Sequence, residues 1–276
     1  MEIEFKDAEA VSDGEFTKCY KCFRPIKSCY CKYIRSFDPG VKFIILMHPK
    51  EAYKQKTGTG RLAHLTLENS EILIGINFTQ NARLKELLAD ERYFPVLLYP
   101  GEDAYTAETL ARSQGASCEV QSCEVQSCAG GSSSEVEFCA GGRNVAGKQL
   151  LVIVVDATWF FAKKMLRLSP NLLELPKISF RAGYRSQFKF KQQPAEECLS
   201  TIESCYYLMK ELQKEKVFGV NLDADCESLM DVFKRMVDYQ LESEKERLAS
   251  GIPCRYARGD NPNVKIKNNS TLEKKN

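Results

Sequence analysis

Residues 149–168 constrain this chain more than any other stretch, because a run of aliphatic residues stops there at a carboxylate and gives way to a helical pattern. From Leu150 to Val155 nothing polar interrupts the run. That pattern reads as a strand buried on both faces, as in a parallel sheet covered by helices. Asp156 then sits at the strand's carboxyl end, where connecting loops of an open α/β sheet diverge and leave a ligand crevice. Thr158 is placed to cap the following helix, Phe161, Met165 and Leu168 form its apolar stripe, and Ser169-Pro170 ends it. Two readings of Asp156 stay open: a ligand-binding carboxylate, or only a helix cap beside a core Trp159.

Further strands are expected over residues 41–47, 71–76 and 95–99, with a helix over 82–90 and a short strand within 175–180. Strands alternating with helices mean βαβ units. The strand ends carry polar turns: His48-Pro-Lys-Glu51 after the first and Tyr99-Pro-Gly101 after the third, so both share an edge with Asp156. His48 is either catalytic or a satisfied structural histidine. Thr57-Gly-Thr-Gly-Arg61 precedes a helical run, and glycines there let backbone N–H groups approach an anion that Arg61 could clamp. Two longer helices follow, one opening within Gln193–Glu203, with Leu199, Ile202, Tyr206 and Met209 on one face and Ser200, Thr201 and Glu203 in its first turns, and one from Asp225 to about Leu248.

The 276 residues are 43% hydrophobic and 28% charged, which places the chain among globular proteins. No apolar run approaches the ~18 residues of a membrane span, and the start is too acidic and broken for a signal peptide. The expectation is an intracellular protein, cytoplasmic or nuclear, with no membrane partner. Its twelve cysteines then call for something other than disulfides. Cys19, Cys22, Cys29 and Cys31 form two close pairs within one knuckle, suited to a tetrahedral structural zinc with no open position for water. Lys21, Arg24, Lys27 and Lys32 would give the knuckle a positive face.

Over residues 113–147 the unit Ser-Cys-Glu-Val-Gln recurs, beginning at Ser117 and Ser122. One valine per unit cannot bury a core, so this reads as a surface insertion whose cysteines are not ligands. Residues 181–191 alternate cations with aromatics, and 156–194 hold eight Lys and Arg against two acids in a chain of net charge +2. Cations bind phosphates and aromatic faces stack on unpaired bases, which favours looped RNA, while an amphipathic edge strand is the plainer alternative. From Arg255 to Asn276, six cations, two acids and few apolar residues suggest a disordered basic tail that adds affinity for RNA.

Taken in order, the four-cysteine knuckle, His48-Pro-x-Glu51, Thr57-Gly-x-Gly-Arg61, Tyr99-Pro-Gly101, Asp156-x-Thr-Trp159, Arg185-Ser, Gln193-Pro and Cys198-Leu-Ser-Thr-Ile-Glu203 resemble the DTW-domain tRNA-uridine aminocarboxypropyltransferases. The resemblance implies a SPOUT-like α/β parallel sheet flanked by helices, with a C-terminal knot and the zinc knuckle in front. It implies S-adenosylmethionine as donor and tRNA as partner, with the 3-amino-3-carboxypropyl group passing to N3 of a uridine. Ala157 stands where the family often has glycine, and Lys189 and Lys191 where it often has arginine, which forks onto phosphate as lysine cannot. The organisation expected is a flexible start (1–18), the knuckle (19–40), a catalytic domain (41–250) carrying the insertion, and a basic tail (251–276).

The site expected has Asp156 as catalytic residue. Thr59, Gly60, Arg61, Tyr99, Pro100, Thr158, Trp159, Leu199, Ser200, Thr201 and Glu203 join it around the donor. Lys163, Arg185, Lys189 and Lys191 contact RNA. Fixing the donor's amino-acid arm takes an anion for its ammonium, a role for Asp156, and a donor for its carboxylate, a role for Arg61 or a helix N-terminus. Two other functions fit the same chain: a SPOUT-type RNA methyltransferase, and a noncatalytic zinc-ribbon RNA-binding protein.

Overall fold

The computed structural model describes residues 18–55, 57–115, 147–180, 183–188 and 198–251. Expectations for the first residues, for 116–146, for Lys189 and Lys191 and for the tail lie outside that range.

Five strands form one parallel sheet: β1 (Lys42–Met47), β2 (Ser70–Ile74), β3 (Tyr93–Leu98), β4 (Gln149–Asp156) and β5 (Lys177–Ile178), in the order β2-β1-β4-β3-β5. β1 is buried at every position and β4 at all but its first and seventh, as their unbroken apolar runs demanded. The helices are α1 (Pro49–Lys54), α2 (Thr59–Thr66), α3 (Ala82–Ala89), α4 (Ala107–Gly115), α5 (Trp159–Leu168), α6 (Pro170–Leu173), α7 (Thr201–Lys214) and α8 (Glu227–Ala249). Alternation along each strand divides the core into two layers. Phe43, Ile45, Val96, Val152 and Val154 face α2, α4, α7 and α8 on one side. Ile44, Leu46, Leu97, Leu151 and Ile153 face α3, α5 and α6 on the other.

Several boundaries differ from those read in the sequence. β3 starts at Tyr93 and runs through Pro95, which pairs with Leu151 of β4. The Leu97 and Tyr99 N–H groups point to β5, so the Pro95 position that lacks a donor faces the same side, one register step beyond the two residues of β5. A proline there forfeits no ladder bond. α4 takes in Ser113 and ends at Gly115, so the insertion begins later than residue 113. Thr158 occupies the cap position of α5 without a side-chain capping bond, and only its carbonyl accepts, from the Ala162 N–H at 2.8 Å. In α5 the buried side chains are Met165 and Leu166, while Leu168 is left partly in solvent.

The knuckle lies against α8. Arg24, expected on a positive face, is instead buried: its Nη1 donates to the Tyr30 hydroxyl at 3.0 Å and its guanidinium lies 4.3 Å from that ring's centre. Tyr30 meets Tyr239 edge-on, and the Arg235 guanidinium covers Tyr33. Among the described residues no helix is long and apolar enough to cross a membrane.

Candidate functional site

β1, β3 and β4 end at one edge of the sheet, and Asp156 closes β4 there with only 5% of its surface exposed. Burying a carboxylate is costly unless donors and positive charge surround it. Two helix N-termini supply them. Thr201, the first residue of α7, donates from Oγ1 to Asp156 Oδ1 at 2.5 Å. Gly60, the second residue of α2, lies directly against the carboxylate: a Cβ built there would stand 2.3 Å from Oδ2 and 2.5 Å from Cγ. Only glycine permits that approach. Both helices direct the positive ends of their dipoles toward the group, which favours its anionic form. Gly58 offers no capping side chain, so the first amides of α2 remain available to an anion in the crevice.

Gly60→Ala makes a direct check of this contact. In an ordinary helix interior alanine would stabilise by ~1 kcal/mol relative to glycine. Here the added methyl must push aside a carboxylate anchored on Thr201, so the variant is expected to lose about 1–3 kcal/mol in thermal unfolding. Unchanged stability would mean that the two groups are not in contact.

Arg61 follows Gly60 and is half-buried. Burial lowers its pKa, which the nearby Asp156 charge opposes. Its guanidinium stacks on Phe23 of the knuckle at 4.2 Å and reaches the Ala52 carbonyl at 3.5 Å. Phe23 itself sits at φ 57, a left-handed conformation that costs a bulky residue roughly 1–2 kcal/mol. The turn is held by Phe23 N–H to Cys19 O at 2.8 Å and Cys19 N–H to Arg24 O at 2.7 Å. The knuckle therefore reaches the rim of the crevice. Its four cysteines place their sulfurs within 4.8 Å of one another, with Cys19 to Cys31 at 3.6 Å and Cys22 to Cys29 at 3.7 Å. Four sulfurs about 2.3 Å from one tetrahedral ion would stand about 3.8 Å apart, so the spacing fits zinc.

His48 resolves to its structural role. Its Nδ1 accepts from the Lys50 N–H at 3.1 Å, capping α1, and its backbone N–H donates to the Asp156 carbonyl at 3.0 Å. Its ring stacks on Phe161 with centres 4.3 Å apart. Burial, then Lys50 and Lys164, hold the imidazole below the usual histidine range. Cys205 lies behind the site, its thiol pushed up by burial and by Asp156.

The remaining expected residues fall into three groups. Thr59 is buried beside Gly60; Tyr99 and Pro100 stand in the loop after β3, and Thr158 and Trp159 are the cap and first residue of α5 after β4; Leu199 and Ser200 lead into α7. Glu203 is fully buried and its carboxylate is engaged by the protein itself. It accepts from the Ser200 N–H at 2.9 Å in a capping box, and also from Ser186 Oγ at 2.8 Å and the Gln187 N–H at 2.6 Å. Pinned in this way, the 183–188 segment runs without forming a strand, and its aromatics turn inward. Phe188 packs edge-on against Phe233, and Tyr184 stacks on Tyr207 at 4.1 Å while donating to Glu211 at 2.9 Å. Phe188 is thereby withdrawn from solvent and Tyr184 half-buried with one face covered by Tyr207, while Arg185 is exposed, as is Lys163 on α5. Sequence reasoning had Ser186 only as part of the Arg185-Ser motif, and it missed Gln187, which carries no local signal, and Phe23, whose place inside a tight cysteine turn was a visible one.

Comparison with known proteins places this site in context. Residues 16–241 match the model of the DTW domain. A protein named tRNA-uridine aminocarboxypropyltransferase 2 from Drosophila melanogaster is 27% identical over 194 residues, which cover 68% of this chain and 63% of that protein. The protein of the same name from Mus musculus is 23% identical over 235 residues, covering 84% and 68%. The chain thus spans about two thirds of the length of these relatives. No solved structure matches it. With the family model spanning the knuckle, the sheet and both long helices, the chain belongs to the DTW-domain family.

Proposed function

We propose that the chain transfers the 3-amino-3-carboxypropyl group of S-adenosylmethionine to N3 of a uridine in tRNA. The observation that carries the reading is the buried Asp156 carboxylate held between the N-termini of α2 and α7, with Gly60 leaving room against it. The names of the two relatives support the same reaction. The donor supplies an electrophilic methylene next to a sulfonium: the carbon–sulfur bond breaks, a carbon–N3 bond forms, and the N3 proton and methylthioadenosine leave.

This chain's residues have a positioning task, since three carbons on the sulfonium compete and only the methylene of the amino-acid arm is to meet the nucleophile. Asp156 holds the arm's ammonium by charge and hydrogen bonding. The first-turn amides of α2 and the Arg61 guanidinium hold its carboxylate. Thr201 fixes the Asp156 rotamer. Glu203 acts at one remove, fastening the 186–187 backbone to the cap of α7. An anion that faces two helix N-termini is a weak base, so Asp156 orients the arm and is not assigned the N3 proton. Cys19, Cys22, Cys29 and Cys31 would bind a structural zinc. The all-parallel sheet followed by α7 and α8 supports the SPOUT-like reading; the knot depends on residues before Cys198 that lie outside the described range.

The test is product analysis after incubation with tRNA and donor. Methylthioadenosine together with a uridine heavier by the aminocarboxypropyl group is expected. S-adenosylhomocysteine with a methylated nucleoside would replace this reading by a methyltransferase, and a protein that binds tRNA but no donor in calorimetry would be a noncatalytic RNA-binding module.

A further inference from the structure

We infer that exposed rings and unpaired lysines around the Asp156 crevice form a platform for single-stranded RNA, so that the target uridine is presented from an unpaired loop with its neighbours stacked on Phe23, Tyr53 and Phe160. The inference rests on the proposed reaction only for the identity of the target base.

The rings are joined to the site by contacts. Phe160 meets Phe161 edge-on at 5.3 Å, and Phe161 stacks on His48, whose N–H is bonded to the Asp156 carbonyl. Phe23 lies on Arg61, whose guanidinium bonds to the carbonyl of Ala52 immediately before Tyr53. Yet these rings give most of their surface to solvent: 56% for Phe23, 76% for Tyr53 and 75% for Phe160. Large aromatics left this open at a site rim are a cost to solubility without a partner to cover them.

Charge decides which partner. Residues 18–33 and α5 contain no acid, and the one acid of α1, Glu51, is buried. Lys50, Lys163 and Lys164 are exposed there and form no ion pair among the described residues. Lys42, Arg83, Arg92 and Arg112 are neutralised by neighbouring carboxylates, while Lys216, Lys234 and Lys245 are also exposed without an ion pair among the described residues. What sets this surface apart is that Lys163, Lys164 and Lys50, which lies 4.5 Å over the Phe161 ring, stand beside open rings with no exposed acid on residues 18–33, α1 or α5. A surface of bare cations and open rings complements phosphates and base faces. A duplex would offer only the phosphates, because its base faces are stacked. The chemistry agrees, since N3 lies on the pairing edge of uridine and is reachable only when that edge is free.

The experiment is fluorescence anisotropy with the zinc-loaded full chain and no donor, so its outcome is independent of whether the transfer reaction occurs. The probes are a labelled RNA hairpin with a uridine-containing loop, the same strand in full duplex, and phosphatidylserine vesicles. The hairpin is expected to bind at least about tenfold more tightly than the duplex. Tyr53→Ala with Phe160→Ala should weaken hairpin binding by roughly tenfold or more and leave its salt dependence unchanged, as loss of stacking requires. Lys163→Ala with Lys164→Ala should instead flatten the salt dependence by up to about two phosphate contacts. Parent-like hairpin affinity in the aromatic variant, with an unchanged circular dichroism spectrum, overturns the proposal. So does equal affinity for the duplex. Vesicle binding lost in the aromatic variant while RNA binding persists would assign the surface to a membrane.

Discussion

Asp156→Asn is expected to abolish aminocarboxypropyl transfer while leaving the fold and the affinity for tRNA nearly intact. Asparagine has the same shape, and its amide oxygen can still accept from Thr201 Oγ1, so the local geometry survives. What disappears is the negative charge. A donor ammonium brought to that position would be desolvated without its counter-charge, and truncating one partner of a buried, hydrogen-bonded pair costs ~2–5 kcal/mol. Donor affinity should therefore fall by roughly thirty- to four-thousandfold in calorimetry. Loss of the anion also removes its attraction to the ends of α2 and α7, about 0.3–2 kcal/mol, but it removes a buried charge at the same time. The melting temperature should move little. The lysines on α5 lie outside the crevice, so RNA binding should not sense the change. A variant that modifies uridine at the parent rate would refute the role given to Asp156; one that loses tRNA binding as well would show that the carboxylate organises more of the surface than its immediate contacts suggest.

How much of this was legible beforehand follows from the range of each interaction. β1 and β4 could be read because burial on both faces writes an unbroken apolar run, and Asp156 marks where β4 stops. β2 was displaced by one or two residues because its burial decreases toward Ile74 at the sheet edge, so no contrast marks its end. α4 went unread: among its described side chains only Ala107 and Leu110 are fully buried, too few to write a helical period. The site itself is a meeting of Gly60, Asp156 and Thr201, residues far apart in the chain. Sequence supplied the strand end and the two helix starts, but the contacts between them are tertiary. For residues 183–188 the sequence left two readings open, for a different reason. Alternating cations and aromatics do not say which set faces inward, and the answer came from Glu203, whose buried carboxylate draws in Ser186 and Gln187 and turns Phe188 into the core.

Removing zinc should have the other large effect, through a chain of contacts that ends at the donor. Within residues 18–33 only Cys22, Arg24 and Tyr30 are buried, far too little apolar surface to hold a fold alone. Four thiolates converging within 4.8 Å would also repel one another without a cation. An ion bound there would supply most of the folding free energy of the knuckle, as apparent values for structural zinc run to about 10–16 kcal/mol. Elemental analysis of pure protein is expected to give about one zinc per chain, and Cys22→Ser should release it. The parallel sheet has its own two-layer core and should stay folded, so far-UV circular dichroism should change only slightly. Donor affinity should nevertheless fall, because Arg61 loses the Phe23 ring on which its guanidinium rests. Restoring zinc to chelated parent protein should restore donor binding, whereas Cys22→Ser should not respond. Stoichiometric zinc in a variant lacking all four cysteines would place the metal elsewhere, and full donor affinity in the zinc-free protein would mean that Arg61 holds its position without the knuckle.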